Sequence, residues 1–212
     1  MVILFDLDGT LIDSTEAIVE SFYYAYEKMN NKNPPKKEMI KSLIGYPLDV
    51  MFEKNGISKE QKFEYVDRYK ENYKKISTQK TVLLPHAKEA VLMAKEIATL
   101  AIVTTKTGKY SKVLMQHFDL MKYFDVLIGY EDVKNPKPSS EPILKALDEL
   151  NKNIKDDVWM IGDTILDIQA ANKAKINSIG VLSGYDSKEL LLKFTKNIEQ
   201  NVEDAIKYLK FK

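Results

Sequence analysis

Short, bounded apolar runs alternate along this chain with longer stretches in which apolar residues recur every three or four positions. The runs are Val2–Phe5, Leu100–Val103, Val126–Ile128, Val158–Ile161 and Ser178–Val181. Each suits a strand buried on both faces of a parallel sheet. Helical stripes lie between them: Ala87, Val91, Ala94 and Ala98 after Pro85, then Tyr110, Val113, Leu114 and His117, then Ile143, Leu147 and Leu150. Further helices are predicted near Lys188–Lys193 and over Val202–Leu209. Strands alternating with helices of this length imply βαβ units, hence an α/β fold with a doubly wound parallel sheet.

The alternation breaks once. Residues 15–80 read as four helices with no convincing strand. Ile18, Phe22, Tyr26 and Met29 stripe the first. The second runs from near Lys36 to Gly45. Pro47 opens a third through Leu48, Met51 and Phe52, which Asn55-Gly56 closes. Phe63, Val66, Tyr69, Tyr73 and Ile76 lie along the fourth. Ser14 or Thr15, Ser58, and Ser139 or Ser140 stand where helix caps are expected. The division that follows is an α/β core of residues 1–14 and 82–212, with residues 15–81 inserted as a small all-helical domain above the carboxyl edge of the sheet. The aromatic stripes are read as the core of that domain.

Composition narrows the function. With 32 Lys+Arg against 31 Asp+Glu, the net charge of +1 argues against a nucleic-acid binder driven by phosphate neutralisation. The absence of Cys excludes disulfides and thiolate metal sites. No apolar run approaches membrane-spanning length, and the apolar start lacks a basic leader, so no membrane association and a cytoplasmic location are expected.

Candidate chemistry sits where the predicted strands end. The first strand stops at Asp6-Leu7-Asp8-Gly9-Thr10, two carboxylates two residues apart in a loop that Gly9 allows to turn tightly. The second ends in Thr104-Thr105-Lys106, the third leads into a loop carrying Lys137, and the fourth runs into Gly162-Asp163-Thr164 with Asp167 beyond. A parallel sheet gathers these ends at one edge, where ligands of open α/β sheets bind. Four carboxylates, a hydroxyl and an ammonium fit a hard cation such as Mg²⁺ held by acids, with the remaining donors on a phosphate. One carboxylate can serve as a nucleophile and a second as acid and base. Lys106 reaches either substrate or water, and Tyr46 either contacts substrate or packs among the helices. Trp159 belongs to the core, His86 and His117 are helix residues without chemistry, and Tyr185 packs near the site entrance.

With these residues in place, the sequence resembles the haloacid dehalogenase-like hydrolase superfamily over nearly its whole length. Phe5-Asp6-Leu7-Asp8-Gly9-Thr10-Leu11 resembles its first motif, Thr104 its second, Lys137 in Pro136-Lys137-Pro138 its third, and Gly162-Asp163-Thr164 with Asp167 its fourth. The helical insertion resembles a cap domain placed after the first motif, and Gly45-Tyr46-Pro47-Leu48 its substrate loop. Gly180-Val181-Leu182-Ser183-Gly184-Tyr185 resembles a late motif of phosphoglycolate phosphatase-like members. The resemblance implies a Mg²⁺-dependent phosphatase acting on a small-molecule phosphate ester, phosphoglycolate-like or a sugar phosphate, as a monomer or homodimer. It makes Asp6 the nucleophile and Asp8 the acid and base. It places Mg²⁺ on Asp6, the Asp8 carbonyl and Asp163. It sets Thr104 and Lys137 on the phosphoryl oxygens and Thr105, Gly45 and Tyr46 beside the substrate. Asp167 orients Lys137 or a metal-bound water, and Thr10 marks a phosphatase. Many relatives carry Asn where this chain has Thr105. The cap also lacks the Arg near Gly45 and the polar residue at Ile18 expected of a β-phosphoglucomutase. The alternatives are such a phosphomutase, a pyrophosphatase or, from another class, a non-catalytic phosphate-binding signalling module.

Overall fold

Strand β1 (Val2–Phe5) lies inside a six-stranded parallel sheet in the computed structural model of the chain, which describes residues 1–212. Its neighbours are β4 (Thr99–Val103) and β6 (Val158–Gly162). β5 (Val126–Ile128) borders β4, and β7 (Asn177–Val181) followed by β8 (Ile198–Glu199) extends the other side. Side chains alternate across the sheet. Ile3 and Phe5 therefore join α5 (Ala87–Ile97), α6 (Gly108–His117) and α10 (Val202–Phe211) on one face. Val2 and Leu4 join α7 (Glu141–Glu149) and α8 (Ile165–Ala174) on the other. Trp159 is buried in the first of these layers, as expected.

The register explains why the site forms. Phe5 pairs with Ile102 on one side and Ile161 on the other. Asp6, Thr104 and Asp163 follow these residues by one or two positions, so they leave the sheet together at its carboxyl edge.

The insertion consists of α1 (Thr15–Lys28), α2 (Lys37–Lys41), α3 (Leu48–Lys54) and α4 (Lys62–Lys80). It has its own apolar cluster: Phe22 stacks on Phe52 at 4.2 Å between centroids, and Tyr69 meets Phe22 edge-on at 5.6 Å. Such aromatic pairs add roughly 0.5–1.5 kcal/mol each beyond their burial. Strands β2 (Ile12–Asp13) and β3 (Val82–Leu83) form an antiparallel ribbon that brings the chain's departure and return together.

Several local expectations are corrected. The ribbon and β8 had no counterpart in the pattern, because two-residue strands carry no periodicity. Alignment of Gly180 with Ile198 makes β8, and a Cβ on Gly180 would lie only 2.9 Å from the Ile198 side chain. α4 begins at Lys62 rather than after Ser58, whose carbonyl instead closes a preceding turn. Ser14 stands at the N-cap position of α1 as expected, and its carbonyl accepts the Ile18 amide at 2.9 Å, but neither Ser14 nor Thr15 makes a side-chain capping bond. The Ser14 hydroxyl is drawn to Asp8, and Asp13 accepts the Thr15 amide at 2.9 Å. Ser140 stands at the start of α7 without a capping bond, while the Ser139 hydroxyl accepts the Glu141 amide at 3.2 Å. α2 and α9 (Lys188–Leu191) are shorter than the pattern implied.

Candidate active site

Three carboxylates converge at the edge of the sheet. Oxygens of Asp6, Asp163 and Asp167 lie within 4.8 Å of one another, and all three residues are buried. Asp6 comes directly from the end of β1, Asp163 from the end of β6, and Asp167 from the first turn of α8. Lys137 is the one cation among them. Its ammonium lies 2.9 Å from Asp6 Oδ1 and 2.5 Å from Asp167 Oδ1, and it donates to the Val103 carbonyl at 2.8 Å. Its contact with Asp6 is an ion pair, and no other donor reaches Asp6 Oδ1. Asp167 also accepts the Thr164 hydroxyl at 2.7 Å and its amide at 3.1 Å, so the same carboxylate caps α8 and fixes Lys137.

Burial dominates the electrostatics. It pushes the Asp6 carboxyl from 3.8 up to about 6, against the opposing pull of Lys137. Asp163 is driven well above the usual carboxylate range by burial, then by Asp167 and Asp6, although the Tyr185 amide (2.9 Å) and the Thr10 hydroxyl (3.1 Å) stabilise its charged form. Burial alone would neutralise Lys137, but Asp167 and Asp6 outweigh it and hold the ammonium charged. One lysine cannot neutralise three desolvated carboxylates, so the donor set fits a hard divalent cation held by oxygen.

Asp8 lies apart from that cluster. Its carboxylate pairs with Lys106 at 2.9 Å and accepts the Ser14 hydroxyl. Lys106 is buried, with its ammonium 4.8 Å from the centroid of the Tyr73 ring on α4. Burial alone would lower its affinity for the proton, but Asp8 and Tyr73 raise it. Lys106 therefore pairs with Asp8, a partner that neither expected reading, substrate or water, had named. The pattern showed Lys106 as a strand-end lysine, but nothing local revealed Asp8 or Tyr73 as its neighbours.

The other expected residues are brought to the same edge. The buried Thr104 hydroxyl accepts the Lys106 amide at 3.2 Å. Thr105 donates to the Gly45 carbonyl at 2.7 Å, which joins the loop after β4 to the loop before α3. Gly45, at φ +106°, packs close to Thr164. Tyr46, Thr105, Lys106 and Asp8 all line a cavity of about 120 Å³ between the helical insertion and the sheet edge. Tyr185 reaches Thr15 on α1, hydroxyl to hydroxyl at 3.0 Å. Gly9 and Gly184 have a steric reason to be glycine, since a Cβ on either would overlap the Asp163 carboxylate. Ser183, in the late Gly180–Tyr185 motif, donates its hydroxyl to the Gly9 carbonyl at 2.8 Å, a contact to the first motif that the sequence pattern did not reveal.

Comparison with known proteins agrees with this geometry. Residues 3–181 match the family described as haloacid dehalogenase-like hydrolase. A protein provisionally named pyrophosphatase PpaX, from Caldanaerobacter subterraneus subsp. tengcongensis, is 35% identical over 98% of this chain and 92% of its own. A phosphoglycolate phosphatase from Salmonella typhimurium is 30% identical over 89% of this chain and 84% of its own. The structure of a haloacid dehalogenase-like family hydrolase from Streptococcus pneumoniae superposes with a TM-score of 0.87 at 26% identity, covering 98% of this chain and 97% of the other. With an acidic cluster at the sheet edge and a match over most of its length, the chain belongs to the haloacid dehalogenase-like hydrolase family.

Proposed function

We propose that the protein is a Mg²⁺-dependent phosphatase that hydrolyses a small-metabolite phosphomonoester through an aspartyl phosphate on Asp6. The observation that carries this reading is the buried Asp6–Asp163–Asp167 cluster with Lys137 between two of its members. Residues 1–14 and 82–212 act as the catalytic core and residues 15–81 as the cap.

In this reading a carboxylate oxygen of Asp6, at the end of β1, attacks phosphorus. The new acyl–phosphate bond forms as the bond from phosphorus to the ester oxygen breaks. Asp8 gives its proton to the departing alkoxide, then takes one from the water that cleaves the acyl phosphate. Inorganic phosphate leaves, and the Asp6 carboxylate is restored. Lys137 and the Thr104 hydroxyl hold phosphoryl oxygens, and Asp167 keeps Lys137 in place. Asp6, the Asp8 carbonyl and Asp163 would hold Mg²⁺, which offsets repulsion between the carboxylates and the incoming phosphate. Thr105, Gly45 and Tyr46 face the leaving group, and closing the insertion over them would exclude bulk water.

The test is phosphate release from small esters with and without Mg²⁺, for wild type and Asp6→Asn. Wild type should need the metal, and Asp6→Asn should fall below about a thousandth of its rate. An Asp6→Asn enzyme that keeps most of the activity refutes the assignment. The likeness to a protein named for pyrophosphate makes pyrophosphate the second substrate to try.

A further inference from the structure

The cavity beside Asp8 holds two polar groups that the chemistry above does not use. Four charged residues line it: Asp8, Asp49, Lys70 and Lys106. Asp8 and Lys106 neutralise each other at 2.9 Å, and Asp49 is paired with Lys62 at 2.9 Å. Lys70 alone makes neither an ion pair nor a side-chain hydrogen bond, although it is half-buried in a wall that is otherwise largely apolar. One helical turn further along α4, Tyr73 is 1% exposed and its hydroxyl has no partner. The Lys106 ammonium lies over the Tyr73 ring, 4.8 Å from its centroid.

Val66, Lys70 and Tyr73 recur at helical spacing, so they share the face of α4 that lines the cavity. A fully buried hydroxyl without a partner is costly to the folded protein unless a ligand satisfies it, and the half-buried ammonium beside it has only water as a partner. Both donate hydrogen bonds, and one is cationic, so the ligand they fit is an anion. The space is modest: about 120 Å³ is less than the roughly 150 Å³ that accommodates a benzene ring.

We propose that Lys70 and Tyr73 form a second anion subsite, opposite the reacting phosphate, that binds a carboxylate or phosphate at the far end of the leaving group. It rests on the phosphatase reading above and narrows the substrate to a small compound with two anionic ends, a phosphorylated short-chain acid or a diphosphate. Lys70 and Tyr73 select the substrate and take no part in bond breaking.

The experiment compares kcat/KM for phosphoglycolate, pyrophosphate and ethyl phosphate, the last having an uncharged leaving group. Wild type should prefer one of the two-ended compounds over ethyl phosphate, and which one identifies the distal group. Lys70→Met should lower that preference by about tenfold or more, mostly through KM. Lys70→Arg should restore most of it, and Tyr73→Phe should lower it several-fold. Lys74→Met, on an exposed part of α4 outside the cavity, should leave it unchanged. No preference in wild type, or equal losses on all three compounds in Lys70→Met, overturns the subsite.

Calorimetric binding to Asp6→Asn separates this outcome from failure of the phosphatase reading, because it needs no turnover. Tighter binding of phosphoglycolate or pyrophosphate than of ethyl phosphate, lost with Lys70→Met, supports the subsite even if nothing is hydrolysed. Equal binding of all three compounds, or none, refutes it.

Discussion

The sheet edge and the helical insertion solve opposite problems. At the edge, charges are packed together and almost every polar atom has a protein partner: Lys137 spans Asp6 and Asp167, Thr164 and Asp167 bond reciprocally, and Asp163 is held by Thr10 and Tyr185. The insertion is held by aromatic packing around Phe22, Phe52 and Tyr69, and its cavity face leaves Lys70 and the Tyr73 hydroxyl without partners. The edge is built to hold one arrangement of charge, with little freedom to vary. In the proposed reading, reaction chemistry resides at the edge and substrate choice in the cavity-facing residues of the insertion.

The contrast breaks most directly at Lys137. Lys137→Met leaves Asp6 and Asp167 buried without their counter-charge, which should cost about 3–5 kcal/mol of stability in metal-free protein at pH 7. Lys70→Met in the insertion should cost less than about 1 kcal/mol, since the ammonium has no partner to lose. Urea unfolding midpoints of the two variants test the contrast, and comparable losses would erase it.

A second prediction concerns pH. The folded Asp6 carboxyl holds its proton up to about pH 6, whereas the unfolded one releases it near 3.8. Between these values the folded state binds more protons, so the contribution of Asp6 to metal-free stability falls as pH rises through this window and is level above it. Asp6→Asn cannot ionise. It should match wild type near pH 4 and exceed it by up to about 3 kcal/mol above pH 6, with the metal removed. Mg²⁺ should shrink that difference. Thermal unfolding of both proteins across the window, with and without a chelator, gives the answer, and a gap independent of pH would contradict the assignment of burial as the cause.

The smallest effect is expected where the two regions touch. Thr105→Val removes the 2.7 Å hydrogen bond to the Gly45 carbonyl and should cost about 1 kcal/mol. In phosphate-release assays it should raise KM several-fold with little change in kcat, because it loosens the substrate loop and leaves Asp6 and Lys137 in place. A large loss of kcat instead would mean that the loop also orders the charged edge.

Much of this was legible in the chain itself. Five apolar runs marked five of the six sheet strands, because a strand buried on both faces leaves a continuous apolar signature. The acids at 6, 8, 163 and 167 and the lysine at 137 stood out because each follows such a run, and parallel strands bring their ends to one edge. The short strands at 12–13, 82–83 and 198–199 were invisible, since two residues cannot show a period. Ser58 was misread as the cap of α4, and Ser14 stands at the start of α1 with its hydroxyl turned to Asp8, because capping residues look alike in sequence whether their hydroxyls turn to the helix or elsewhere.

The order of strands and helices, the composition and the polar residues at the strand ends thus determined the fold class and the residues of the candidate site by local rules. Only the tertiary structure decided that Asp167 belongs with Asp6 and Asp163, that Asp8 turns instead to Lys106, and that Lys70 and Tyr73 line the cavity without partners. Partnership between residues far apart in sequence depends on how helices pack over a sheet edge, and no local pattern encodes that distance.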